Sequence, residues 1–263
     1  SKRLSGVHAV AKTNEDLEAT ADAVQRGDLQ LAIQDVETAY VAFSTGTPQM
    51  PEPHRDLRAI AVLFSTAVHV VARTNTGISS IADFKGKRIG MGAQGSSTHR
   101  AATLILAGHG LSLNDVTPFA LTASETMTAI REGKLDAAFI YAPFQNPVVA
   151  DMTSADDVRL VPIQRSSLGP IQDGHHFLKS TTIPGGMYKN QDDDVLTVGM
   201  DVMLLCRQPL PDALVYDLTR TLFESVPVLR QAHPSAAGIN PERGPTTAIP
   251  LHTGAARYYR ERE

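Results

Sequence analysis

The chain has 263 residues, a formal net charge of −4 at pH 7 and 42% hydrophobic residues. A chain of this length can bury cores for two modest domains, and its composition is ordinary for a globular α/β protein. The negative charge and the scattered basic residues argue against a nucleic-acid-binding protein. No apolar run approaches the ~20 residues that a membrane span requires.

Strands and helices are predicted to alternate over the first 73 residues. Strands are expected at 5–11, 29–33, 57–64 and 68–73, and helices between residue 14 and Gly27 and after residue 34. The first helix is expected to begin at a cap formed by Thr13 or Asn14 and to end at Gly27. A polar break near Ser65 and Thr66 separates the last two strand segments.

The rest of the chain is predicted to contain a second set of α/β elements. Strands are expected near 88, 116–120, 137–141, 158–163 and 196–207, and helices at 81–84, from the glycine loop to 107, at 124–131, 146–152, 211–222 and around 258–259. Residues 166–194 are rich in Gly, Pro, Asp and His and are expected to be mostly loop.

The stretch GAQGSST at 92–98 is the clearest candidate for a binding loop. Gly92 and Gly95 let backbone N–H groups point into one small space, and Ser96, Ser97 or Thr98 can cap the following helix. The positive end of the helix then favours a carboxylate or phosphate, although a turn capped only for stability is the alternative. The spacing matches neither a dinucleotide-binding loop, a P-loop nor a nucleophile elbow.

Residues 20–33 align without a gap on residues 126–139, an offset of 106. Both segments predict a helix, a glycine that ends it, one polar residue and a core strand. We interpret the repeat as two similar domains, against the alternative that this common α/β pattern recurs by coincidence. The same offset places the first domain's counterpart of the glycine loop before Ser1, so we expect that strand, loop and helix to be absent from this sequence.

The ends of the two matched strands provide further candidate binding residues, because ligands of open α/β sheets bind at the carboxyl ends of strands. These residues are Gln34, Asp35, Tyr141, Ala142, Pro143 and Asn146. Asp35 would pair with an ammonium group, or it caps the following helix. Tyr141 would close the pocket, or it packs in the core.

Two other groups of residues suggest chemistry less strongly. His175 and His176 with the aspartates at 192–194 raise a metal hypothesis, but adjacent histidines on an extended chain point in opposite directions, which favours a solvated loop. Cys206 lies in an apolar run and is expected to be a buried, unreactive thiol. The sequence therefore predicts neither a metal site nor a cofactor.

Five ordered segments together resemble the TAXI family of TRAP-transporter solute-binding proteins. They are the glycine loop, the strand and turn at 139–147, IPGGMY and QDDDVLTVG between 183 and 199, LPDALVY at 210–216, and IPLHTGAARYY at 249–259. The likeness extends from about Val7 to Arg260. Members of that family begin with a strand, a solute-contacting glycine-rich loop and a helix, and this sequence departs from them there.

The resemblance implies an α/β, two-lobed periplasmic-binding-protein fold of type II with two strands that cross at a hinge. Lobe I would contain residues 1–70 and 204–263, and lobe II residues 71–203. It further implies a periplasmic receptor, freed of its signal peptide, that encloses glutamate or a related dicarboxylate between its lobes and delivers it to a TRAP membrane permease. We expect a monomer. The solute contacts would include Gly92, Gln94, Gly95, Ser96, Ser97 and Thr98, with Ser65 at the hinge.

Two other functional classes remain open at this point. An enzyme on the same fold would need a general acid or base, which only Asp35, Glu37 or Tyr141 could supply. A sensory module would be marked by a fused kinase, cyclase or DNA-binding segment, and this sequence contains none.

Overall fold

The computed structural model describes residues 8–12, 16–154 and 157–262. They fold as two compact units, the first containing Ser1–Ser65 and Asp201–Glu263 and the second Thr66–Met200. The chain thus changes unit at 65/66 and 200/201, whereas the sequence placed the lobe boundaries at 70/71 and 203/204. Among the described helices, none has the length and apolar character needed to cross a bilayer.

The described chain contains helices and strands in mixed order. The helices are α1 (Leu17–Arg26), α2 (Val36–Thr45), α3 (Ser97–Gly108), α4 (Ala123–Arg131), α5 (Pro147–Thr153), α6 (Leu168–Gln172), α7 (Asp212–Glu224), α8 (Val226–Ala232) and α9 (Thr253–Arg260). The strands are β1 (Leu31–Asp35), β2 (Leu57–Arg73), β3 (Arg88–Gly90), β4 (Thr117–Phe119), β5 (Ala137–Pro143), β6 (Val158–Leu160), β7 (Lys179–Ile183) and β8 (Val195–Arg207).

The first unit packs helices against the strand order β1-β8-β2. β1 runs antiparallel to β8, with Leu31 opposite Cys206 and Asp35 opposite Val202. Helices α7 and α9 pack closely, and their aromatic side chains join the strands in one core, where Phe223 stacks on Tyr258 at 5.7 Å between ring centroids. Burial of these rings stabilises this unit.

The second unit has the strand order β8-β2-β5-β3-β4, with β6 beside β2 and β7 beside β8. β3 is parallel to β4 and β5, and β5 is antiparallel to β2. Alternate residues of β5 enter different cores, because successive side chains of a strand point to opposite faces. Phe139 belongs to the core that α3 covers, and Ile140 belongs to the core that includes residues of α4 and α5.

The repeated helix–glycine–strand pattern is confirmed as local structure. Gly27 and Gly133 follow α1 and α4 with φ angles of +87° and +70°, which only glycine adopts at little cost. The strands after them begin at Leu31 and Ala137, 106 residues apart (137 − 31 = 106). The glycine that ends each helix therefore directs the chain into the following strand in the same way.

Several element boundaries differ from the prediction. Residues 8–11 form no strand, and Val10 is 70% exposed, so these side chains have no core to enter. The rest of that predicted strand, and the predicted caps Thr13 and Asn14, lie outside the described residues. The described cap of α1 is Asp16, whose carboxylate accepts a hydrogen bond of 2.9 Å from the N–H of Ala19.

The predicted break in β2 was wrong, since the strand is continuous from Leu57 to Arg73. The Oγ of Ser65 donates to Asp201 and the Oγ1 of Thr66 donates to the carbonyl of Met200, so both hydroxyls are satisfied within an unbroken strand. Helix α8 was not predicted, because Pro227 and Pro234 frame a segment too short to show a clear helical period.

Candidate functional site

The glycine turn, defined as residues 92–98, connects β3 to α3 in the second unit. Gly92 and Gly95 have φ angles of +82° and +77°, so both occupy the left-handed region that the sequence analysis required of them. Ser96 caps α3, because its Oγ accepts a hydrogen bond of 3.2 Å from the N–H of His99. The turn therefore presents the first amides of a twelve-residue helix.

Gly92 is required by close packing as well as by its φ angle. A Cβ at this position would lie 2.5 Å from the Cβ of Thr98 and 2.6 Å from its Cγ2. The Oγ1 of Thr98 in turn accepts a hydrogen bond of 3.3 Å from the N–H of Tyr141. The start of the turn, the first turn of α3 and the end of β5 are thus fixed to one another.

Arg100 is the functional candidate that the sequence analysis missed. Its Nη1 donates to the carbonyl of Gly95 at 3.0 Å, and its Nη2 lies 3.5 Å from the Oγ of Ser97. The guanidinium group therefore folds back over the glycine turn. The signal was present in the sequence, since a residue three positions after Ser97 on a helix faces the same side one turn later.

The electrostatic character of the glycine turn is positive. The N–H groups of Ser97 and Thr98 belong to the first turn of α3, where an α-helix has no carbonyl partner for its amides. The helix dipole and the Arg100 guanidinium add positive charge at the same place. Gln94 and Gly95 are exposed, which leaves the turn accessible from solvent. This arrangement can bind an oxyanion, and it contains no evident nucleophile or general base.

The end of β5 lies beside the glycine turn, as the Thr98–Tyr141 contact shows. Tyr141 and Pro143 are half-buried and Ala142 is buried. Asn146 caps α5 through its Oδ1, which accepts from the N–H groups of Val148 at 2.9 Å and Val149 at 3.3 Å. The side-chain oxygen of Asn146 is therefore already engaged.

A buried polar pair supports the turn that follows β5. The hydroxyl of Tyr188 lies 2.9 Å from the Nε2 of His69 and accepts from the N–H of Asn146 at 3.1 Å. Burial lowers the pKa of His69 to about 4 and raises the pKa of Tyr188, so both side chains are neutral near pH 7 and share a hydrogen bond. The IPGGMY segment thus contributes a structural contact through Tyr188, a role that the sequence did not reveal.

The candidate residues of the first unit are engaged in local contacts. Gln34 is 1% exposed and its Nε2 donates to the carbonyl of Leu17 at 2.5 Å. Asp35 caps α2, accepting from the N–H of Thr38 at 2.7 Å and from its hydroxyl at 3.0 Å. The capping alternative for Asp35 is therefore what the structure shows.

Ser65 belongs to a charged cluster in the first unit. Its Oγ donates to the Oδ1 of Asp201 at 2.8 Å and accepts from the Nη2 of Arg243 at 2.7 Å, and Arg243 also forms an ion pair with Asp201. Among the predicted residues of β5 and the turn after it, Tyr141 is the one whose backbone contacts the glycine turn, through Thr98. A contact of Gln34, Asp35 or Ser65 with a solute stays a prediction.

No metal centre is present among the residues that the structure describes, where no three His, Cys, Asp or Glu side chains converge. Asp194 instead accepts a hydrogen bond of 2.9 Å from the N–H of Gly185, which closes the surrounding loop. Cys206 is fully buried, and burial raises its pKa to about 12. The predicted burial of Cys206 is thus confirmed, and the raised pKa keeps the thiolate form negligible near neutral pH.

Solved structures resemble this chain over most of its length. A protein of Bordetella bronchiseptica RB50 superimposes with a TM-score of 0.51 at 20% identity, over 94% of this chain and 68% of that chain. The periplasmic aliphatic sulphonate-binding protein SsuA from Escherichia coli has a TM-score of 0.47 at 18% identity, over 94% of this chain and 70% of that chain. The fold predicted from the sequence, a two-lobed α/β periplasmic-binding-protein fold, is confirmed.

Sequence comparison identifies a more limited likeness and a family. A segment of 75 residues is 31% identical to a putative aliphatic sulfonates-binding protein of Escherichia coli K12. It covers 28% of this chain and 23% of that protein, so the match spans about a quarter of the curated relative. The model of the NMT1-like family matches residues 5–262. The chain therefore belongs to the NMT1-like family.

Proposed function

We propose that this protein is an extracytoplasmic solute-binding receptor that serves a membrane transporter, and that its glycine turn holds the anionic group of the solute. The observation that carries the proposal is the position of the Arg100 guanidinium over the glycine turn, beside the first amides of α3. The NMT1-like family and the two-lobed fold support a binding role. We further propose that the receptor acts as a periplasmic monomer.

An oxyanion is the ligand group that this turn suits best. The amides of Ser97 and Thr98 donate without a carbonyl partner in the helix, and hydrogen bonds to a charged acceptor contribute about 1.5–3 kcal/mol each. Arg100 adds a planar donor that matches a carboxylate or a sulfonate. Because Gly92 packs against Thr98, the donors are held in place before the ligand arrives, which lowers the entropic cost of binding.

Two classes of solute carry an oxyanion that suits the glycine turn. The likeness to TAXI proteins favours glutamate or a dicarboxylate delivered to a TRAP permease. The name of the Escherichia coli relative favours an aliphatic sulfonate and the transporter that serves it. In both cases an oxyanion with a single negative charge would bind at the glycine turn, and the rest of the solute would determine which class is bound.

The proposal is tested by matched pairs of charged and uncharged ligands. Thermal unfolding and isothermal titration would compare succinate with succinamide, propanesulfonate with propanesulfonamide, and glutamate with its diamide, in which both carboxylates are replaced. We expect at least one oxyanion to raise the unfolding temperature by mass action, and its uncharged partner to have no effect at the same concentration. Equal shifts within every pair, or no shift with any anion, would contradict the proposal.

Native mass spectrometry of the purified protein supplies an independent identification, because a solute that copurifies adds its mass to the intact chain. The same sample tests the alternative classes. Chemical conversion of the bound solute during incubation would favour an enzyme, with Asp35, Glu37 or Tyr141 as the group to replace first. An unchanged solute that is released on unfolding supports a receptor.

A further inference from the structure

Gln145 has an unusual backbone conformation, in the turn that joins β5 to α5. Among the described residues other than glycine, Gln145 and Asn190 are the two with positive φ, at +57° and +60°. Asparagine favours this left-handed region because its short side chain bonds to the local backbone, so the residue type explains Asn190. Glutamine has no such preference, and glycine would adopt the same conformation without strain. The presence of glutamine at position 145 therefore requires another reason.

The buried pair of His69 and Tyr188 fixes the turn that contains Gln145. The Tyr188 hydroxyl accepts from the N–H of Asn146 at 3.1 Å and lies 2.9 Å from the Nε2 of His69. The His69 ring also meets the ring of Phe144 edge-on, at 6.5 Å between centroids. Strained residues persist only where the surrounding structure holds them, and they concentrate at functional sites. Gln145 itself is exposed, so the fixed turn presents its carboxamide to solvent.

Gln145 lies at the same edge of the sheet as the glycine turn. β3 and β5 are parallel neighbours, so their carboxyl ends lie side by side. β3 leads into the glycine turn, and Gln145 follows shortly after the end of β5. The hydrogen bond from the N–H of Tyr141 to the Oγ1 of Thr98 joins these two ends. This is the edge at which ligands of open α/β sheets bind.

We propose that Gln145 is a specificity-determining residue, whose carboxamide binds the second polar group of a solute that the glycine turn holds by its oxyanion. The inference rests on the function proposed above and narrows the class of solute. A carboxamide donates and accepts hydrogen bonds but carries no charge, so it does not compensate a second carboxylate or sulfonate. The selected solute therefore carries a hydroxyl, amide or ammonium group toward Gln145, and a simple dicarboxylate binds less well.

Isothermal titration would compare the parent chain with Gln145→Gly and Gln145→Glu. The probes are two matched pairs, taurine with propanesulfonate and glutamate with glutarate, in which only the first member carries an ammonium group. Gln145→Gly removes both the strain and the carboxamide. It should therefore bind the parent's preferred probe about fivefold or more weakly, without a lower unfolding temperature. Gln145→Glu should raise the preference for the ammonium-bearing member about tenfold, because its carboxylate pairs with the ammonium.

Two further variants serve as controls. Asn190→Gly makes the same backbone change at the other left-handed residue, and it should leave the affinity unchanged. Tyr188→Phe removes the hydroxyl that accepts from the N–H of Asn146. Because Tyr188 acts only by positioning the turn, this variant should bind both members of a pair more weakly by the same factor.

The outcomes separate the role of Gln145 from the function on which it rests. Parent-like affinity of Gln145→Gly, or an unchanged preference of Gln145→Glu, would overturn the role of Gln145 in a protein that still binds oxyanions. Equal losses of affinity with Gln145→Gly and Asn190→Gly would also overturn it, because backbone flexibility would then explain both. Failure of every probe to bind the parent chain would instead contradict the proposed function, and this inference with it.

Discussion

Gly92→Ala and Gly95→Ala separate the two physical reasons for glycine in the turn. Both residues have positive φ, so each substitution places an L side chain in the left-handed region at a cost of about 1–2 kcal/mol, partly offset by reduced freedom of the unfolded chain. No atom lies within 4 Å of a Cβ at Gly95. Gly95→Ala should therefore destabilise the protein by about 1 kcal/mol.

Gly92→Ala adds a steric cost to the same backbone strain. Its Cβ would lie 2.5 Å from the Cβ of Thr98, an atom fixed to the backbone of α3 that no rotamer change can move away. Overpacking of this kind costs about 1–3 kcal/mol, so we expect a total of about 3 kcal/mol. The two variants should differ by about 2 kcal/mol, which corresponds to about 4–8 °C in unfolding temperature.

Thermal and urea unfolding, followed by circular dichroism, would measure both variants beside the parent chain. Gly92→Ala should also weaken binding of the solute, because the displaced α3 terminus carries the donor amides. Equal stability of the two alanine variants would refute the packing between Gly92 and Thr98, and with it the argument that the turn is preorganised.

The remaining predictions concern four other residues. Arg100→Gln should weaken oxyanion binding about tenfold in isothermal titration and reduce its dependence on salt, whereas unchanged affinity would remove Arg100 from the site. Asp35→Ala should lower the free energy of unfolding by about 1 kcal/mol because it removes the α2 cap, whereas Asp35→Asn keeps the cap. If Asp35→Asn nevertheless binds the solute more weakly, Asp35 contacts a cationic group of the solute. The pKa of His69 is lowered to about 4 in the folded protein, so its imidazole is protonated in the unfolded chain at a higher pH than in the folded one. The free energy of unfolding should therefore fall by up to about 3 kcal/mol as pH drops from about 6.5 to about 4. Urea midpoints of His69→Gln should depend less on pH over that range. Cys206 should react with iodoacetamide only after unfolding, and rapid labelling of the native protein would contradict its burial.

Sequence patterns predicted the elements that have strong local signals. The glycines at 27, 92 and 95 all adopt positive φ, and Ser96 caps α3 as its position suggested. The helix–glycine–strand repeat was visible because each of its parts depends on neighbouring residues. The fold class followed from this alternation and from the resemblance of five ordered segments.

Contacts between residues that are far apart in the chain could not be predicted from the sequence. Ser65 and Thr66 looked like a break because their hydroxyl partners, Asp201 and the carbonyl of Met200, lie more than a hundred residues away. The pair of His69 and Tyr188 was hidden for the same reason. The role of Asp35 was ambiguous, because a carboxylate at the end of a strand can either cap the next helix or bind a ligand. Its contact with the N–H of Thr38 decides for the cap.

The central claim is that backbone amides at the start of α3 bind the solute's oxyanion, and Ser97 allows these amides to be tested one at a time. Ser97 is the first residue of α3, where proline is tolerated and no intrahelical bond is lost, and Ser96 before it is extended. Ser97→Pro therefore deletes one donor N–H, while Ser97→Ala deletes only the hydroxyl. Isothermal titration should show that Ser97→Pro binds the identified oxyanion about 10-fold or more weakly than Ser97→Ala, with equal unfolding temperatures for the two proteins. Equal affinity of the two variants would contradict the account.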